Sequence, residues 1–175
     1  MHIIPSPNPV LFKKAQPVKQ ISADLQLLVK HMAESLIEAD NPKGIGLAAP
    51  QVGKSLRLFL VKIDPQSPLY VFINPTIVEK SVKMAESKEI LEGCLSIPGV
   101  WGSVKRHETV KVRYMGLDAK EKEKTFGGLL STVVQHEIDH LNGILFTHRV
   151  AEQRNKLYKT VKDDKGKEVF REIDL

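Results

Sequence analysis

The segment Leu129–Leu141 constrains this chain more than any other stretch. Leu129, Leu130, Val133, Val134, Ile138 and Leu141 make it apolar enough to be a central helix. Yet Gln135-His136-Glu137-Ile138-Asp139-His140 sets two imidazoles and two carboxylates inside it. Polar groups buried without partners cost free energy, so the rest of the fold has to supply partners for these four. Residues four apart on a helix stand one above the other on the same face, so His136 and His140 can point at one metal ion. Glu137, next to the first imidazole, can reach a water on that ion as general base. A surface helix with scattered polar residues is the plain alternative, and the apolar neighbours weigh against it.

Two imidazoles are not yet a catalytic centre, which usually takes a third protein ligand and leaves a fourth position for water. A third histidine six residues after His140 would complete a known zinc pattern, but Phe146 stands there. His148 is two residues late, and Glu152 lies in a charged tail. Upstream, Glu92-Gly93-Cys94-Leu95-Ser96-Ile97-Pro98-Gly99 carries the only cysteine. A buried cysteine is often a plain small hydrophobe. The glycine beside it argues for close backbone approach, and a thiolate with two imidazoles makes a three-ligand, open site. A single cysteine also excludes an intramolecular disulfide and fits a reducing compartment.

A third segment, Gly44-Ile45-Gly46-Leu47-Ala48-Ala49-Pro50-Gln51-Val52-Gly53, is a loop of small residues. It has neither the P-loop nor the Rossmann spacing, so phosphate binding is a weak reading. A substrate backbone can approach such a loop closely, and the Gln51 amide can donate to a developing oxyanion.

Around these segments the chain reads as one metallohydrolase domain over 1–175, with an extended Pro-rich arm at 1–20 and a charged tail at 150–175. At 175 residues, with 42% apolar and 27% charged side chains, it can bury a core without disulfide staples. Ser22 or Asp24 opens a helix whose buried stripe is Leu25, Leu28, Val29, Met32, Leu36 and Ile37. Strand-like runs follow at roughly 55–63, 69–79 and 82–91. Residues 107–115 alternate, with Val110, Val112 and Tyr114 on one face, and a turn at Gly116–Lys120 leads into 121–126. Asp163-Asp164-Lys165-Gly166 makes a turn between short strands in the tail. Two helices among many short strands point to an α+β fold. No apolar run reaches the roughly 18–20 residues of a membrane span, and the N-terminus lacks a signal peptide's basic and apolar regions. A cytoplasmic home is expected. The net charge of +5 is mild and spread out, which does not mark a nucleic-acid module.

Taken together, Gly44-Ile45-Gly46-Leu47-Ala48-Ala49-Pro50-Gln51, Glu92-Gly93-Cys94-Leu95-Ser96 and Gln135-His136-Glu137-Ile138-Asp139-His140-Leu141 resemble, in order and spacing, the three signature motifs of peptide deformylase. With the arm and first helix the resemblance spans about residues 4–150. It implies antiparallel sheets around a central metal-binding helix, with a second, N-terminal helix. It implies a hydrolase that removes the N-formyl group from the N-terminal formyl-methionine of nascent polypeptides, using a metal-bound hydroxide. By motif position Cys94, His136 and His140 are the implied metal ligands, Glu137 the general acid/base, and Gln51 with the backbone N–H of Leu95 the oxyanion donors. One divalent ion is implied, Fe²⁺ in the cell, with Zn²⁺, Ni²⁺ or Co²⁺ able to take the same place. Ligand type does not choose between Fe²⁺ and Zn²⁺.

The resemblance also gives Glu92 the task of orienting a ligating imidazole, with Arg106 as its partner; a solvent carboxylate is the other reading. Asp139, one position off the ligand face, reads as a structural ion-pair member. Ile45, Leu129 and Val133 are implied to line an apolar methionine pocket, and Gly44 and Gly46 to offer backbone contacts to the peptide; core packing is the plain role of the three aliphatics. Thr132 replaces what is often an apolar residue, and Trp101 stands where some members carry arginine. The tail departs most. Some members end in a long helix that contributes to ribosome attachment, whereas residues 149–175, with 8 Lys and Arg against 6 Asp and Glu, read as strands and a surface tail. The implied partners are formyl-Met N-termini and a transient ribosome contact, for a monomer in a bacterial cytoplasm, with no membrane. Three rivals stay open: another metal-dependent amide hydrolase or peptidase with the same His-Glu-x-x-His helix, a non-catalytic binding scaffold, and a four-ligand structural zinc site.

Overall fold

The computed structural model describes residues 1–85 and 91–174. In chain order the helices are α1 (Ala23–Glu38), α2 (Gly128–Leu141) and α3 (Phe146–Glu152). The strands are β1 (Gly46–Ala48), β2 (Leu58–Val61), β3 (Tyr70–Lys80), β4 (Leu91–Cys94), β5 (Ile97–Ser103), β6 (Thr109–Met115), β7 (Glu121–Gly127), β8 (Leu157–Lys162) and β9 (Glu168–Ile173). They form two antiparallel sheets, ordered β1-β2-β3-β6-β7 and β4-β5-β8-β9. Among the described residues no helix is long and apolar enough to cross a membrane.

Helix α1 begins where the sequence allows it to. The Ser22 hydroxyl accepts a hydrogen bond from the Leu25 N–H, satisfying one of the orphan donors of the first turn. Leu25, Val29, Met32 and Leu36 are buried against Leu47, Leu58 and Leu60. Ile37 is not part of that stripe. It stands one residue, or about 100°, past Leu36 on the helix, and is 64% exposed.

Helix α2 lies over the larger sheet. Val133, Val134, Ile138 and Leu141 pack among Phe59, Phe72, Val110, Val112 and Phe126. The aromatic rings of that layer touch directly: Phe59 stacks on Phe72 at 4.4 Å, and Phe126 meets Phe72 edge-on at 5.4 Å. Every residue from Ser131 to Leu141 is buried, His136, Glu137, Asp139 and His140 included. The turn into α2 needs a left-handed backbone, which Gly128 supplies at φ +58°.

The 107–115 alternation holds. Val110, Val112 and Tyr114 face the core, and β6 pairs with β7 across the Gly116–Lys120 turn. Of the strand expected over 82–91, the described residues 82–85 are not in a strand. Within it Met84 makes only an isolated bridge to His107, β4 starts at Leu91, and residues 86–90 lie outside the described residues. Period-two patterning marks residues able to extend, but a strand needs a neighbour to pair with. The arm at 1–20 is less extended than expected, because Pro9–Phe12 forms a short 3₁₀ turn that buries Leu11. Helix α3 has almost no signature in the sequence. Its signal is only Phe146 and Val150, four apart and both buried.

The second sheet seats on α3. Gly102 on β5 lets this happen: a Cβ there would stand 2.6 Å from Val150 Cγ2, 2.9 Å from Leu157 Cδ2 and 3.2 Å from Phe146 Cε2. Gly102→Ala therefore overpacks the joint. We expect a loss of about 1–3 kcal/mol, read as a lower urea midpoint with an unchanged m-value; an unaltered midpoint would show that the joint yields freely.

Candidate active site

Cys94 ends β4, and α2 runs past it. Its Sγ lies 3.2 Å from His140 Nε2, and donor atoms of Cys94, His136 and His140 all lie within 4.8 Å of one another, all three residues being buried. Glu92 is two residues before Cys94, so a strand's alternation turns both to the same side. Glu92 Oε2 is 2.9 Å from His136 Nδ1. A carboxylate only accepts, so Nδ1 carries a proton and Nε2 is the nitrogen left for a metal ion or a second proton.

Glu92 is held in turn by Arg106, whose Nε and Nη2 donate to Oε1 and Oε2 at 2.7 and 2.9 Å. The same guanidinium donates through Nη1 to Asp139 Oδ2 at 2.6 Å. Asp139 also receives Arg149 of α3, at 3.0 Å to Oδ2 and 2.6 Å to Oδ1. Asp139 is thus the ion-pair member that its place off the ligand face suggested. Arg149 is a partner the sequence did not reveal, since ten residues and a turn separate it from Asp139.

The field of this cluster follows from its members. Burial alone would raise the Glu92 carboxyl, but its bonds from Arg106 and His136 hold it at about 2. Burial would lower His136, yet its contacts with Cys94 and Glu92 raise it well above the usual imidazole range. His140 goes the other way: burial, with the positive His136 and Arg106 nearby, holds it well below that range and keeps it neutral. Cys94 and Glu92 thus favour a cation beside His136, and a metal ion satisfies that field as a proton does. The donor set itself, one thiol and two imidazoles, is that of an open zinc- or iron-type site.

Glu137 has a different environment. Burial pushes its carboxyl up to about 7, against the pull of His136. Its Oε2 is buried with no hydrogen-bond partner. Gly46 makes the room it occupies: a Cβ there would fall 2.2 Å from Glu137 Oε1. Gln51 sits in the 3₁₀ turn Ala49–Val52, and the Ala48 N–H donates to its Oε1 at 2.8 Å. That bond fixes the amide, so Nε2 points to Cys94 Sγ at 3.5 Å and Ser96 Oγ at 3.3 Å. The N-terminal arm ties this region down, Ile4 N–H donating to Gln51 O and Ser6 N–H to Ser96 O, both at 2.8 Å.

These groups open onto one cavity of about 250 Å³. Ile45, Gly46, Leu129, Thr132, Val133, His136 and Glu137 line it from the β1 loop and α2; Leu91, Glu92, Gly93, Leu95 and Trp101 line it from the second sheet, together with Cys94 and Gln51. His140 and Arg106 stand behind this lining, in contact with Cys94 and Glu92 respectively. Gly44 is not brought to the cavity. Its N–H donates to Ala39 O, and a Cβ on it would lie 2.1 Å from Leu36 O, so its role is to seat the loop on the end of α1.

A buried His-Glu-x-x-His helix, joined by a thiol from a neighbouring strand and opening on an apolar cavity, defines a metal-dependent hydrolase of α+β build. A family model, polypeptide deformylase, matches residues 1–156. Relatives named peptide deformylase include that of Salinibacter ruber, 43% identical over 161 residues (85% of this chain and 80% of the relative), and that of Pseudothermotoga lettingae, 45% identical over 148 residues (84% and 81%). The crystal structure of a Synechococcus elongatus peptide deformylase in complex with actinonin superposes with a TM-score of 0.78 at 38% identity, covering 85% of this chain and 79% of that one. Arabidopsis thaliana peptide deformylase 1B in complex with an inhibitor gives 0.79 at 33% identity, covering 87% and 83%. The chain belongs to the peptide deformylase family, the metal-dependent hydrolases that remove the N-formyl group from the N-terminal methionine of nascent polypeptides.

Arg106→Met leaves Glu92 and Asp139 buried with one partner fewer each, and should cost about 3–5 kcal/mol in urea unfolding; a smaller loss than about 1 kcal/mol would mean that water reaches the cluster. Glu92 has a folded value below its ordinary 4.5, so its stabilisation is present above that pH and is lost as pH falls toward 2. The amount is on the order of 3 kcal/mol. Urea midpoints between pH 6 and 2.5 should fall steeply for the wild type and more gently for Glu92→Gln; parallel curves would contradict the assignment.

Proposed function

We propose that Cys94, His136 and His140 hold one divalent ion, and that the surrounding residues use it to hydrolyse the formyl amide of formyl-methionyl peptides. When bound, the ion supplies Lewis-acid chemistry, bringing the pKa of a water at its open position toward neutrality. The observation that carries this reading is Glu137. A carboxyl with its pKa near 7, an unpartnered buried oxygen and a place on the same cavity as Cys94 and His136 is poised to hold a proton and give it back. In the reaction Glu137 takes the proton of the attacking water and delivers it to the leaving amine nitrogen, freeing formate and a methionyl N-terminus.

The other residues serve that transfer. Gln51 Nε2–H and the Leu95 backbone N–H donate to the formyl oxygen as it gains charge, and Gln51 is fixed beforehand by Ala48. Glu92 and Arg106 keep His136 in the tautomer that presents Nε2. Ile45, Leu129 and Val133 form the apolar surface for an unbranched methionine side chain, while Gly46 gives Glu137 its space and offers backbone to the peptide. Gly44 serves the peptide indirectly, by placing Ile45. The ion carried in the cell is Fe²⁺ in this reading, and Zn²⁺, Ni²⁺ and Co²⁺ suit the same donors. The enzyme works as a monomer in a bacterial cytoplasm, as one domain over 1–175, and meets the ribosome transiently.

Formate release from formyl-Met-Ala-Ser by the Fe²⁺-reconstituted protein tests the reading. Glu137→Ala should lower kcat by about 10²–10⁴-fold with metal content unchanged. Gln51→Ala should lower it by about 10²–10³-fold. Cys94→Ser should lose the ion on dialysis. Full metal occupancy in Cys94→Ser, or undiminished turnover in Glu137→Ala, would redirect the assignment to a different metal hydrolase.

A further inference from the structure

We propose that the β8–β9 hairpin is part of the peptide-binding wall: through Thr160 and Phe170 it seats Trp101, and Trp101 selects an apolar side chain that follows formyl-methionine. This rests on the deformylase reading above and adds a specificity element to it.

Trp101 lies on β5 and lines the same cavity as Gly93, Cys94 and Gln51. It stands opposite Tyr158 on β8, and Thr160 stands opposite Phe170 on β9. Directly opposed residues of antiparallel strands share a face, so these four side chains lie on one side of the sheet. The indole is fixed from two directions. Its Nε1–H donates to Thr160 Oγ1 at 2.9 Å, and its ring meets Phe170 edge-on at 5.8 Å. On the cavity strand it lies over Gly93, where a Cβ would come within 2.8–3.2 Å of its six-membered ring. The hairpin thus supplies two of the contacts that decide where this wall of the cavity stands.

The direction of use comes from exposure. Cys94 is buried, Trp101 is half-buried and Phe170 is 56% exposed. A formyl-methionyl substrate always carries more chain, and that chain has to leave the buried centre. Trp101, which lines the cavity, and Phe170, which meets its ring edge-on, give it an apolar surface to follow outward. The charges on the hairpin are matched, Lys156 with Glu172 at 2.7 Å and Lys162 opposite Glu168, so the hairpin adds no charge preference of its own to a cavity that Lys43 lines from the loop side. It suits an aromatic or large aliphatic side chain at one of the two residues after methionine.

The test compares kcat/KM for formyl-Met-Phe-Ser and formyl-Met-Ala-Phe with that for formyl-Met-Ala-Ser. The wild type should prefer at least one of the Phe peptides. Phe170→Ala and Thr160→Val should reduce that preference about three- to tenfold, through KM. Phe170→Tyr and Thr160→Ser should retain it, and Val82→Ser, at a 99% exposed position, serves as the control. Trp101 is the only tryptophan, so its emission reports on the wall without turnover. Titration with the product peptide Met-Ala-Phe should shift that emission in the wild type and less so in Phe170→Ala. An unchanged preference and emission response in both hairpin variants would overturn the proposal. So would an equal loss on all three peptides, which is what general loosening would give. A wild type that releases no formate from any peptide overturns the functional reading itself, a separate outcome.

Discussion

Arg106 is the interaction on which the rest of the site depends. One guanidinium, itself buried, joins Glu92 of β4 to Asp139 of α2, and Asp139 reaches on to Arg149 of α3. Two carboxylates cannot be taken out of water without such a partner, because the cost of stripping a charge of its hydration exceeds what packing returns. Once the pair is made, however, it sets distances. It fixes β4 against α2, and that contact brings Cys94 Sγ to His140 Nε2 and Glu92 to His136 Nδ1. The cluster is better understood as a locator than as a source of stability, since an apolar replacement for such a network often serves stability as well.

With the location set, the roles of the polar residues on β4 and α2 diverge by environment alone. Glu92 is a carboxylate in reach of an arginine and an imidazole, and it stays ionised far into acid. Glu137 is a carboxylate in an apolar niche made by Gly46 and Val133, and its proton is exchangeable near neutrality. The two imidazoles are driven apart in the same way, His136 upward by its contacts with Cys94 and Glu92 and His140 downward by burial and positive charge. Carboxyls and imidazoles pushed to different values within one cluster are what acid–base work at neutral pH requires.

Much of this was legible in the chain. The capped start of α1, the 109–115 alternation and the apolar run of 129–141 each rest on a local periodicity that survives folding. The His-Glu-x-x-His spacing, Cys94 and Gln51 were legible because their chemistry is rare and their residue types are specific. Less local features were not. Ile37 fell out of the α1 stripe, 82–85 did not become a strand, and Gly44 turned to the end of α1 rather than to the cavity. Ile37 lies just off the buried edge of its helix, 82–85 pair with no strand beyond one bridge, and the Gly44 N–H is taken by Ala39; a residue-type pattern does not register any of these. The strands of the tail hairpin are legible in the chain, but its contact with Trp101 is not, since nothing local connects Thr160 or Phe170 with a residue about sixty to seventy positions earlier.

By itself the sequence determined the inventory: one thiol, a pair of imidazoles one helical turn apart, a carboxylate between them, an amide in a loop of small residues, and a helix apolar enough to be buried. Helical and strand periodicities also fixed which of these side chains share a face, because that follows from backbone geometry. Tertiary structure alone decided which carboxylate is anchored and which is left unpartnered, which imidazole is neutral, and which residues line the cavity. Those properties depend on burial and on charges brought close across the fold, and both arise only when strands and helices distant in sequence pack against one another.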